Sequence, residues 1–169
     1  MTPNQDGTWT YHVLHRFASF KSDGLRPYAG LAVDPAGNAY GATSAGGAYN
    51  GGTVFELTPS ASGRWTQKVL YDFPNCDNGC APLYTLVLDG AGGLYGMAQG
   101  GDPACGPCGV IFKLAPQKSG KWKYSVLHTF HGIDGSDPYG VILDGKGNIF
   151  GTTDDGGKYG LGVAFEITP

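Results

Sequence analysis

Charge is scarce in this chain: Asp, Glu, Lys and Arg together make up 15% of its 169 residues, against a usual ~25%. The basic residues fall singly and the formal net charge is -3, so there is no basic stripe for nucleic acid and no polybasic patch for anionic lipid. No apolar run approaches the ~18 residues of a membrane-spanning helix, and the N-terminus lacks a positive stretch followed by an apolar core. These gaps exclude nucleic-acid binding and membrane insertion, and they fit the mature part of a secreted protein. Also missing are a nucleophile elbow, a metal-protease helix and a phosphate loop. No catalytic residue and no cofactor is therefore assigned.

Glycine is in excess, with 30 residues of 169 where ~7% is ordinary. The glycines recur at fixed places, which marks turns and excludes long helices. The recurrence is threefold. Gly7-Thr8-Trp9, Gly63-Arg64-Trp65 and Gly120-Lys121-Trp122 each open a unit that runs through Val-Leu, Phe, Pro, an apolar stretch ending in Asp, a Tyr-Gly or Phe-Gly step, a Gly-Gly pair and a closing Phe-x-Leu or Phe-x-Ile. The tryptophans are spaced by 56 and then 57 residues, and Phe17, Phe73 and Phe130 keep those intervals. The units span 7–62, 63–119 and 120–169, with 1–6 as the tail of a preceding unit or a linker, and together they make one domain.

Within each unit the first segment alternates with period two. Trp9, Tyr11, Val13, His15 and Phe17 are placed on one face, as are Trp65, Gln67, Val69, Tyr71 and Phe73, and Trp122, Tyr124, Val126, His128 and Phe130. A short apolar strand then ends in Asp34, Asp89 or Asp144, followed by Gly37-Asn38, Gly92-Gly93 or Gly147-Asn148. This is turn chemistry: the carboxylate accepts from backbone N–H groups and the glycine takes a positive φ. A third strand carries Tyr40-Gly41, Tyr95-Gly96 or Phe150-Gly151. A fourth carries Phe55, Phe112 or Phe165 and stops at Pro59, Pro116 or Pro169. Four antiparallel strands with a large aromatic at a fixed place predict an all-β, β-propeller-like fold of three four-stranded antiparallel blades. A β-trefoil, with its own threefold pseudosymmetry, is the alternative. In this reading each unit supplies all four strands of its own blade, and none is left over to complete a blade across the seam.

The combined motifs Gly-Gly-x-x-x-Gly-x-Val-Phe-x-Leu-Thr-Pro, Val-Leu-x-x-Phe, Asp-Gly-x-x-Pro-Tyr and Asp-x-x-Gly-Asn-x-Tyr-Gly resemble the GloVer tandem repeats of bacterial choice-of-anchor proteins. Unit one carries them at Gly46-Gly47, Gly52 to Phe55 and Asp34 to Gly41; unit three carries them at Asp134-Gly135, Pro138-Tyr139 and Asp144 to Gly151. The resemblance covers residues 7 to 169. It implies a secreted or surface-displayed β-propeller-like protein in a family with no established enzymatic role. Unit two departs most, with Asn78-Gly79 for Asp-Gly, Met97-Ala98 for Thr-Thr, and four cysteines.

Propellers have ~4 to 8 blades, so three do not close alone. Open apolar blade faces drive association, and the expected homo-oligomer is a two-fold dimer of three blades each. The first-to-second and third-to-fourth connections share one rim. All four cysteines fall there: Cys76, Cys80, Cys105 and Cys108 read as two disulfides, local or joining the loops, or alternatively as a four-thiolate zinc site. Cys105 to Cys108 spells a thioredoxin tetrapeptide, but a strand follows where the redox motif needs a helix. The same rim carries Tyr28, Tyr139, Tyr49, Tyr159, Asp23 and Asp134. Aromatic faces beside carboxylates suit a glycan, while their packing and turn roles compete with that reading. His15 and His128 stand where Tyr71 stands, an aromatic packing slot. The function expected is a non-enzymatic extracellular or cell-surface module for assembly or partner binding; a glycan-binding lectin-like propeller is the alternative. Glycosidase activity is the third reading, since it needs only two carboxylates ~5 to 9.5 Å apart.

Overall fold

The computed structural model describes residues 2–17, 22–106 and 108–169. Met1 of the N-terminal tail and Pro107 of the cysteine tetrapeptide lie outside the described residues. Every regular element described is a strand: β1 (Thr2–Pro3), β2 (Trp9–Thr10), β3 (Ala32–Val33), β4 (Ala39–Thr43), β5 (Thr53–Pro59), β6 (Trp65–Asp72), β7 (Val87–Leu88), β8 (Leu94–Ala98), β9 (Val110–Pro116), β10 (Trp122–Thr129), β11 (Ser136–Leu143), β12 (Ile149–Asp155) and β13 (Ala164–Ile167). They form three antiparallel sheets, β3-β4-β5-β6, β7-β8-β9-β10 and β11-β12-β13, and a small clip of β1 with β2. Inner strand β7 lies beside both β3 and β11, and the Gly30 N–H reaches across to Thr85 Oγ1 at 3.1 Å. The three sheets do not close on themselves, and no barrel drawn from all three units, as a trefoil requires, occurs among the described pairings.

The repeat in sequence and the sheet in space are offset by one strand, which corrects the expectation that each unit builds its own sheet. β6, the tryptophan strand of unit two, completes the sheet of unit one, with Trp65 opposite Pro59 and Val69 opposite Phe55. β10 does the same one unit later, with Trp122 opposite Pro116 and Val126 opposite Phe112. The third sheet has three strands, and among the described residues nothing pairs with the outer edge of β13. Among the described residues the first tryptophan strand pairs through the clip alone, Pro3 opposite Trp9 and Thr2 opposite Thr10. A strand is left over after all.

The single-face assignment of the tryptophan strands also fails, for a local reason. Both full ladders slip near their ends: Val69 faces Phe55 while Tyr71 faces Val54, and Val126 faces Phe112 while His128 faces Ile111. Leu70 and Leu127 are the extra residues of a β-bulge, which reverses the alternation beyond it. Trp122, Tyr124 and Val126 therefore pack toward the first sheet, against Leu94, Phe112 and Leu114. Phe130 instead enters the core shared with the third sheet. Its ring meets Phe165 edge-on at 5.2 Å, as Phe73 meets Phe112 at 5.5 Å and Phe17 meets Phe55 at 5.2 Å.

The aspartate turns form as read. Asp34 Oδ1 accepts the Asn38 N–H at 2.9 Å, Asp89 Oδ1 accepts from Ala91 and Gly93, and Asp144 Oδ1 accepts from Lys146 and Asn148. The Tyr-Gly and Phe-Gly steps answer a packing demand. Gly41, Gly96 and Gly151 stand opposite Phe55, Phe112 and Phe165 in the neighbouring strand, and each phenylalanine ring lies over the bare glycine. A Cβ on Gly96 would come within 2.7 Å of both the Phe112 ring and Leu86. Gly96→Ala should therefore cost about 1–3 kcal/mol by overpacking, read as a lower urea midpoint at unchanged slope. Gly145→Ala, at a turn with nothing within 4 Å of the new Cβ, should change stability by no more than about 0.5 kcal/mol; equal effects of the two would refute the packing account.

Candidate functional site at the loop rim

Two sets of loops meet at one end of the sheets. Leu25 N donates to Ala45 O at 2.7 Å, Cys80 N to Gln99 O at 2.8 Å and Gly157 N to Gly132 O at 2.8 Å, so in every unit the loop before the inner strand is bonded to the Gly-Gly loop. The cysteines lie here as two local disulfides, Cys76 with Cys80 and Cys105 with Cys108. With all four paired, no thiolate remains for zinc. Disulfides at an exposed rim belong to an oxidising compartment outside the cytoplasm.

The rim residues singled out in the sequence do not converge. Tyr28, Tyr49 and Tyr159 stand exposed on separate loops, with the Lys158 ammonium 5.3 Å above the Tyr159 ring. Asp23 is buried and lies 2.8 Å from His15 Nε2. Asp134 lies 2.9 Å from His128 Nε2 and also accepts the His131 N–H at 2.8 Å. These two carboxylates fasten the loop to the strand that precedes it. The histidines keep their aromatic role as well, edge-on to Phe17 and Phe130 at 4.8 and 4.6 Å. Tyr139 alone gains an aromatic neighbour: its ring is 5.0 Å from that of Tyr84, tilted by 44°.

Around that tyrosine pair the sheets leave a concave spot. Tyr84, Met97, Gln99, Asp137 and Pro138 line a cavity of about 10 Å³ between the second and third sheets, room for one water at most. Burial foremost, then the nearby carboxylates of Asp154 and Asp155, raises the Asp137 pKa above the ordinary aspartate value. Burial, a hydrogen bond with Tyr139 and the charges of Asp137 and Asp154 push the Tyr84 hydroxyl up to about 12. The spot is thus a pair of phenols beside a carboxyl group that holds its proton more readily than usual. It can stack on an apolar ring face and exchange hydrogen bonds with hydroxyls.

The backbone before each rim proline was not singled out in the sequence. Arg26, Ala81 and Asp137 have φ of 59°, 47° and 53°, and each directly precedes a proline, where an extended conformation is the norm. At Ala81 and Asp137 this conformation serves a tie between units. Ala81 N donates to Gly51 O at 2.7 Å and Asp137 N to Cys108 O at 3.0 Å, while Pro82 and Pro138 press on Gly52 and Gly109. The proline that recurs in all three units is the sequence signal, while the side chain before it differs each time.

One further rim contact joins distant loops: His131 Nδ1 lies 2.7 Å from Asp102 Oδ2. The hydrogen bond to Asp102, opposed by slight desolvation and helped by the charges of Asp102 and Asp134, raises the His131 pKa. A raised histidine contributes its stabilisation fully below its unfolded value of ~6.5 and loses it as pH rises through the folded value. A ring-proton NMR titration should place the His131 midpoint above 6.5 and return it to the ordinary value in Asp102→Asn. A midpoint that does not respond to that change refutes the clamp.

No curated protein matches the chain. Residues 1–169 match the family described as the Gloeobacter/Verrucomicrobia repeat. With three units, their turns and their closing Phe-x-Leu or Phe-x-Ile strands all inside that span, the chain belongs to the Gloeobacter/Verrucomicrobia repeat family.

Proposed function

We propose that the chain is a non-enzymatic, extracellular or cell-surface repeat module: three propeller blades that self-associate, with a two-fold dimer of six blades as the assembly. One observation carries this reading. Surfaces that are covered where one sheet meets the next have uncovered counterparts at the two ends of the array. Tyr40 and Tyr95 are buried between sheets, whereas the outer face of the third sheet presents Tyr139, Ile142 and Phe150 in an open groove. At the other end Phe55 and Leu57 are covered by Leu14, Phe17 and Trp65, and the first segment leaves Tyr11, Val13 and Leu31 exposed along an open groove over them. Apolar faces left this way favour association, and closed symmetric assemblies are the common result.

Catalysis has no part in this reading, because the recurring carboxylates are occupied. Asp34, Asp89 and Asp144 accept from turn N–H groups, and Asp23 and Asp134 are held by histidines. A second reading, glycan binding at the rim, is favoured by Tyr84 and Asp137 in the wall of a small hollow and by the Tyr139 ring beside Tyr84.

Light scattering at micromolar concentration should give twice the chain mass; a persistent monomer refutes the assembly. A glycan array decides the second reading. Binding abolished by Tyr139→Ala and retained in Tyr28→Ala, which lies apart from the pair, would support it, and an array without any bound glycan would end it.

A further inference from the structure

Between the second and third sheets lies a cleft of about 340 Å³ lined by Tyr95, Lys113, Leu127, Ile149, Ile167 and Pro169. One unit earlier the equivalent place is bounded by Tyr40, Leu70, Leu94, Leu114 and Pro116, and there it is filled. Trp122 occupies it, opposite Pro116 in the ladder, its ring 6.4 Å from that of Tyr40 and packed on the Leu94 and Leu114 cluster. Trp122 belongs to the outer strand of the second sheet. The third sheet, among the described residues, has no such strand.

The matching segment stands uncovered at the other end of the chain. Trp9, Tyr11 and Val13 are 62%, 75% and 42% exposed, while the same positions in units two and three, Trp65, Gln67 and Val69, and Trp122, Tyr124 and Val126, are all half-buried in their ladders. On the receiving side Phe165 and Ile167 are half-buried, whereas Phe55, Leu57, Phe112 and Leu114 are at most 4% exposed. The clip shows the register. Thr2 and Pro3 pair with Thr10 and Trp9 as Thr58 and Pro59 pair with Thr66 and Trp65, and Thr168-Pro169 repeats the dipeptide.

Building on the self-association proposed above, we infer that residues 9–15 of a second copy add to the free edge of β13, with Trp9 opposite Pro169, Tyr11 opposite Ile167 and Val13 opposite Phe165, and with the Trp9 indole seated in the cleft beside Tyr95. The clip opens and a full ladder replaces it. In a two-fold dimer each copy gives its strand to the other, so both junctions form alike.

The rim supplies an independent match. Inside the chain the pre-proline N–H of Ala81 and Asp137 reaches Gly51 and Cys108 of the preceding unit. The next pair in that series is Arg26 with Leu161, which stands 85% exposed. The cavity beside Asp137 has Gln99 in its wall; the third unit has Asp154 in that place, so the incoming Arg26 meets a carboxylate. The two ends are complementary in shape, hydrogen bonding and charge.

Directly opposed residues of an antiparallel pair have Cβ atoms about 4.5–5.5 Å apart and diagonal ones about 7–8 Å. Tyr11→Cys chains mixed with Ile167→Cys chains and oxidised with copper phenanthroline should therefore yield a covalent heterodimer on a non-reducing gel. Tyr11→Cys mixed with Phe165→Cys should yield at least tenfold less. Trp9→Ala, which removes an exposed side chain, should keep the far-UV circular dichroism of the parent and raise the dimer dissociation constant at least tenfold. A parent that scatters as a dimer but links equally in both mixtures, or a Trp9→Ala dimer of unchanged affinity, overturns strand donation and leaves self-association standing. A parent that stays monomeric overturns both.

Discussion

The tryptophan strand belongs to two sheets at once, and the remaining architecture follows from that double membership. Its first half is hydrogen-bonded to the closing strand of the unit before; its last aromatic is buried against the closing strand of its own unit. The bulge at Leu70 or Leu127 makes this possible by turning the chain over between the two tasks. Neighbouring sheets therefore cannot part without opening a ladder and emptying a phenylalanine pocket together. Phe73 and Phe130, each 1% exposed, contribute about 1.5–3 kcal/mol apiece by burial alone. Stability in such an array is a sum over neighbours.

Much of this was legible in the residues, because turns and strands are local. An aspartate followed by glycine and asparagine folds back whatever surrounds it, and the closing prolines end strands whatever they pack on. The offset between repeat and sheet was not legible. A tandem repeat has no origin: the order of strands reads the same whether the tryptophan strand opens a sheet or closes the one before, and only pairing decides. The change of face was hidden too, since Val69, Tyr71 and Phe73 keep a spacing of two across the bulge. The Tyr-Gly step is more transparent once the next strand is laid beside it, where a phenylalanine ring needs the space a side chain would take.

The rim shows how repeats disclose their own logic when copies are compared. His15 goes with Asp23 and His128 with Asp134, while unit two has Tyr71 and Asn78 in those places. Histidine and aspartate leave together because they were one device. In their absence Tyr71 stacks on Tyr124 at 4.4 Å, and the Tyr124 hydroxyl donates to the Asn78 carbonyl. Asp23 and Asp134 looked like ligand groups because a carboxylate near aromatics fits either use; their distance to histidine decides between them.

The residue before each rim proline divides labour differently. Its backbone holds a left-handed bend worth of order 1–3 kcal/mol in strain, offset at Ala81 and Asp137 by the N–H bond and proline contact that tie one unit to the last. That tie uses no side-chain atom, so the side chain is free to be Arg, Ala or Asp without disturbing the array. Chemistry can thus vary at the rim while the scaffold stays fixed. At Asp137 a hollow sets a carboxyl of raised pKa beside the Tyr84 phenol, next to the unit whose cysteines brace the loops on either side. Rigid loops around a variable side chain are what a selective polar contact requires, and the tie from Asp137 N to Cys108 O holds one such side chain in place.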